Sequence, residues 1–81
     1  MKRFDWEPAA QADLRAIRRE DAMRILLALT RYAQTDHGDV VPLTDRPGLF
    51  RLRVGKWRVF FDQDRPGVIH LLGIDNRGQA Y

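Results

Sequence analysis

The sequence predicts an α+β fold of order β-α-α-β-β-β, a mostly antiparallel sheet with an αα-hairpin packed on one face. Three observations predict it. Residues 49–61 alternate apolar and basic about a central Gly-Lys pair, the pattern of a hairpin with one buried face. Residues 8–36 carry apolar side chains at helical spacing in two runs with little between them. Residues 68–74 form a nearly continuous apolar run, short enough for a strand and greasy enough for an interior one.

The elements follow in order. Lys2 to Trp6 reads as a short strand with Phe4 and Trp6 on one face. Pro8 suits the first turn of a helix, where its missing N–H costs little. Ala10, Leu14 and Ile17 then recur at i, i+4 and i+7. Glu20 and Asp21 place acids at the start of a second helix, where they complement its dipole. Ala22, Ile25, Leu26, Leu29, Tyr32 and Ala33 keep helical spacing down one side, and His37-Gly38 is the expected stop. Residues 39–48, with Pro42, Pro47 and Gly48, read as a connecting loop. Pro66-Gly67 marks the turn into the last strand.

In the hairpin, Gly55 occupies the position that a II′ turn reserves for glycine. A two-residue turn sets Val54 against Trp57, Arg53 against Arg58, Leu52 against Val59 and Arg51 against Phe60. One face then collects Phe50, Leu52, Val54, Trp57, Val59 and Phe61, which the helices must cover. The other collects Arg51, Arg53, Arg58 and Phe60, with Asp62 the one carboxylate placed there. Like charges directly opposite one another are unfavourable, so three converging arginines call for an anionic partner. Net charge points the same way. Residues 1–48 hold eight basic and eight acidic side chains, whereas residues 49–81 hold six and three, which carries the whole +3.

Composition narrows the chemistry. Eighty-one residues make a single domain, 1–81, near the lower range for a core without staples. Cysteine and serine are both absent, which excludes disulfides, thiolate metal sites and serine nucleophiles. His37 and His70 are far apart without ligand spacing, so neither a metal nor another cofactor is expected; a hydrogen-bonded strand position is the reading for His70. No phosphate-binding loop, dinucleotide fingerprint or nucleophile elbow occurs. No apolar run approaches the roughly 18 residues that span a bilayer. Met1–Glu7 is unlike a signal peptide, so a cytoplasmic protein with no membrane partner is expected. Arginine stays protonated and is a poor base, but it grips phosphate bidentately and stabilises charge building on a phosphoryl group. Phe60 among the arginines could stack on an unpaired base.

The run Phe50-Arg51-Leu52-Arg53-Val54-Gly55-Lys56-Trp57-Arg58-Val59-Phe60-Phe61 resembles the hairpin signature of RelE/ParE-superfamily toxins of type II toxin–antitoxin systems. The closing Asn76-Arg77-Gly78-Gln79-Ala80-Tyr81 is similar to that superfamily's H-R-x-x-x-Y ending. The resemblance spans nearly the whole chain. It implies a toxin neutralised by a cognate antitoxin and, in the RelE-like branch, a metal-independent endoribonuclease. There mRNA on the ribosome is cut when its own 2′-hydroxyl attacks the adjacent phosphorus. Residue by residue, it implies catalytic roles for Arg58 and Arg77 on the phosphate, and for Tyr81 in stacking or proton transfer. Arg51, Arg53, Lys56 and Phe60 would contact RNA. Two departures stand out. Arg occupies first-strand positions where some ribonuclease members carry Lys, and Asn76 stands where His is common. Both fit the alternative, a ParE-like non-enzymatic inhibitor of DNA gyrase. A degenerate toxin retained as an antitoxin-binding co-repressor is the third reading.

Overall fold

The computed structural model describes residues 1–76. Its elements are β1 (Arg3–Trp6), α1 (Pro8–Ala16), α2 (Arg19–Thr35), β2 (Val40–Pro42), β3 (Leu49–Val54), β4 (Trp57–Asp62) and β5 (Val68–Asn76). The strands form one sheet of order β1-β5-β4-β3-β2. β1 runs parallel to β5 and every other pairing is antiparallel. The α+β class and the mostly antiparallel sheet are those the sequence predicts.

The hairpin register is also the predicted one: Arg51 faces Phe60, Leu52 faces Val59, Arg53 faces Arg58 and Val54 faces Trp57. Gly55 has a φ of 61°, a left-handed value that glycine adopts without a Cβ penalty. Leu52, Val59 and Phe61 are buried and meet Ile25, Leu29, Tyr32 and Ala33 from α2 and Ala10 from α1. Phe61 packs its ring against Phe50 and Tyr32, each with centroids 5.6 Å away.

Two segments differ from the sequence reading. Val40–Pro42, expected as part of a loop, forms an edge strand paired with β3 through Val40–Leu52, Val41–Arg51 and Pro42–Phe50. Proline is tolerated there because an edge strand leaves one row of its backbone groups outside the ladder. Helix α2 stops before His37-Gly38. Asp36 takes the left-handed conformation at φ 61° and donates its N–H to the Tyr32 carbonyl at 2.8 Å; a short polar side chain accepts this conformation more readily than most. Gly38 serves close packing instead, since a Cβ there would lie 3.2 Å from Leu52 Cδ1.

β5 is an interior strand, as expected, but its register carries an irregularity. Phe60 faces Gly73, whereas Phe61 faces Leu71, leaving Leu72 as the extra residue of a bulge. Strand neighbours alternate faces, so the extra residue resets the alternation. Ile74 and Leu71 both reach the core, while Gly73, Asp75 and His70 share the opposite face with Phe60, Arg58 and Asp62. Beyond Leu71 the strand outruns β1, and α1 takes over its exposed edge: Asp13 Oδ2 accepts the Ile74 N–H at 2.9 Å. Among the described residues, no helix is long and apolar enough to cross a membrane.

Candidate functional site

The face of the sheet opposite the helices holds a cleft of about 490 Å³. Arg51 reaches it from β3, Arg58 and Phe60 from β4, and Gly73 and Asp75 from β5, with Leu72 of the bulge beside them. The connection between β2 and β3 folds along its rim and adds Leu43, Asp45 and Arg46. Three guanidinium groups therefore converge against two carboxylates. Arg46 and Arg51 form no ion pair among the described residues. Such an arrangement suits an anion with a flat apolar part: forked donors for phosphate oxygens, and a phenyl face for a base.

The structure separates the residues singled out in the sequence. Arg51, Arg58 and Phe60 meet in the cleft. Arg53 does not join them. Its Nε lies 3.0 Å from Asp39 Oδ2, and its backbone N–H donates to the Asp39 carbonyl at 2.9 Å. Asp39, in the loop before β2, thus offsets the charge of Arg53 where it stands opposite Arg58. Lys56 is elsewhere too. At the hairpin turn it lies 5.3 Å from the Trp57 ring, in a separate hollow shared with Arg18, Asp21 and Arg24. Arg77 and Tyr81 lie outside the described residues.

Carboxylate placement corrects the sequence reading more sharply. Asp62 is the one acid that alternation puts on the open face. The carboxylates that line the cleft are instead Asp45 and Asp75, and Asp62 is engaged outside it: its Oδ2 lies 2.9 Å from His70 Nδ1. His70 Nε2 lies 2.5 Å from Glu7 Oε1, so the imidazole is held between two carboxylates. Hydrogen bonds that the ring donates to Glu7 first and Asp62 second, with the negative charge of those carboxylates, raise its pKa above the ordinary 6.5 against a smaller opposing effect of burial. Next to it, Arg65 holds Asp5, whose pKa that hydrogen bond lowers. Glu7 is the residue before α1 and makes no side-chain cap there, because its carboxylate is turned to His70. With both ring nitrogens occupied, His70 acts as a clamp across α1, β4 and β5. Alternation along β5 would have assigned Asp75 to a face, but only by anticipating the bulge.

Residues 4–81 match the family model described as the ParE toxin of the type II toxin–antitoxin system parDE. The chain belongs to this family. It is a toxin of a type II toxin–antitoxin system, of the RelE/ParE kind that the hairpin signature resembles. No curated protein matches this toxin. Solved structures similar to it include the RelB–RelE complex of Methanococcus jannaschii, at 16% identity and a TM-score of 0.76, covering 94% of this chain and 93% of that one. The RelBE complex of E. coli matches with the same TM-score at 13% identity, covering 94% and 96%. RelBE2 of Mycobacterium tuberculosis matches at 25% identity with a TM-score of 0.63, covering 94% and 98%. The likeness of the first two establishes the fold.

Proposed function

We propose that this toxin is a ribosome-dependent endoribonuclease that cleaves mRNA by attack of a 2′-hydroxyl on the adjacent phosphorus. The observation that carries the reading is the convergence of Arg46, Arg51, Arg58 and Phe60 in one cleft. Arginines fixed on neighbouring strands meet the non-bridging oxygens of a phosphate, and the negative charge that grows on them in the transition state strengthens those bonds. Phe60 offers its face to the base beside the scissile bond. Arg77 and Tyr81, close in sequence to the end of β5, complete the set in this reading: Arg77 on the phosphate, Tyr81 on a base. Arg53 and Lys56 contribute to RNA binding from outside the cleft. No metal is required, because the nucleophile belongs to the RNA.

The toxin acts in the cytoplasm as one 1–81 domain and is held in check by a cognate antitoxin. Its structural relatives were crystallised as antitoxin–toxin complexes. A second reading, inhibition of DNA gyrase without catalysis, is favoured by two observations. The matching family model is that of ParE, and the described lining of the cleft contains no lysine or histidine. Sequencing the 5′ ends of cellular RNA after induced expression separates the two. New ends within codons support cleavage. Intact mRNA together with gyrase trapped on broken DNA refutes cleavage and establishes the second reading.

A further inference from the structure

A 2′-hydroxyl attacks efficiently only if its proton is taken as the new bond forms, and a guanidinium group cannot take it. Among the described residues of the cleft, the groups able to accept a proton are Asp45 and Asp75. Asp45 lies on the exposed connection between β2 and β3. Asp75 lies on β5, at the register position facing Arg58, and is exposed to the cleft. Directly paired residues on one sheet face stand about 5 Å apart at Cβ. That spacing matches the two ends of one reaction, with the carboxylate at the nucleophile and the guanidinium at the phosphate.

We propose that Asp75 is the general base of this site; the proposal rests on the RNA-cleaving reading above. The 2′-oxygen forms a bond to phosphorus as its proton passes to the Asp75 carboxylate. The bond from phosphorus to the 5′-oxygen breaks, and that oxygen takes a proton from solvent water. The products are a 2′,3′-cyclic phosphate and a 5′-hydroxyl. Asp75 returns its proton to the hydroxide left behind, so no water is consumed. The competing role for Asp75 is neutralisation of Arg58. It predicts the opposite response to mutation, because deleting a negative charge from an anion site strengthens binding and helps a reaction that builds negative charge.

Single-turnover cleavage of a short mRNA on ribosomes by the purified full-length toxin tests this, with ribosome-bound mRNA affinity measured alongside. Asp75→Asn keeps the side chain's shape and removes the acceptor. The base role predicts a rate lower by at least about 100-fold, with affinity unchanged or tighter and an unchanged unfolding curve. Asp75→Glu restores a carboxylate and should recover at least about 10-fold over the Asn variant. An Asp75→Asn toxin that cuts as fast as wild type overturns the base assignment and leaves the RNA-cleaving reading standing. A wild-type toxin that yields no cyclic phosphate ends overturns both.

Discussion

Replacing His70 with alanine should destabilise the toxin by about 2 kcal/mol near pH 6, and by clearly less near pH 9. The figure comes from the two bonds of the clamp. Asp62 is well shielded, with its side chain 14% exposed, and its bond to a charged imidazole falls at about 1.5 kcal/mol, the low end for bonds to charged groups. Glu7 is 47% exposed, so its pair behaves as a surface ion pair and adds about 0.5 kcal/mol. For a domain of this size the sum lowers the melting temperature by about 8–16 °C. The sign with pH follows from protonation. The folded pKa of His70 is raised above 6.5, so the stabilisation is fully present below the unfolded value and lost as pH rises through the folded one. A neutral imidazole has one N–H and can donate to only one of the two carboxylates. Urea unfolding of wild type and His70→Ala at the two pH values measures the difference. Equal destabilisation at both would refute the reasoning, because it would mean that the ring contributes packing and not charge.

Other outcomes follow from the same contacts. Arg58→Ala should lower toxicity roughly 100-fold or more, as loss of a charge-stabilising group does, while leaving the fold and antitoxin binding intact; full toxicity on induction would remove Arg58 from the site. Phe61→Ala should cost about 3–5 kcal/mol, because the ring is fully buried between Phe50 and Tyr32, and chemical denaturation reads it directly. Asp13→Ala strands the Ile74 N–H and should cost about 1–3 kcal/mol; faster hydrogen exchange at the Ile74 amide, at a position where β1 no longer covers β5, would identify the lost acceptor.

The hairpin shows how much of the site is legible in sequence. Its alternation has a period of two and its turn is two residues long, so the chain itself pairs Arg51 with Phe60. The same logic puts Arg53 on that face, where the register has it opposite Arg58, but says nothing of its side chain turning away from the cleft to Asp39. Whether an exposed arginine reaches into a cleft or turns to a carboxylate depends on what the neighbouring loop supplies, and Asp39 lies fourteen positions away in the chain. Lys56 lies apart from the cleft for a different reason: a turn residue belongs to neither face, and alternation says nothing about where it points. Arg46 escapes notice because a loop rich in proline and glycine carries no periodic signal to place it on the cleft's rim.

Local rules therefore determined both helices and every strand but β2, the hairpin register, the apolar layer under the helices and the family to which those residues belong. Periodicity, turn chemistry and helix-start preferences act over a few residues, and the sequence displays them directly. Tertiary structure alone decided the rest. It set β1 beside β5, brought Glu7 and Asp62 to either side of His70, and used the bulge at Leu72 to put Asp75 across from Arg58. Each of these joins depends on which strands become neighbours and where one register slips by a residue. Those choices are made by the whole core packing at once, so no short stretch of sequence records them.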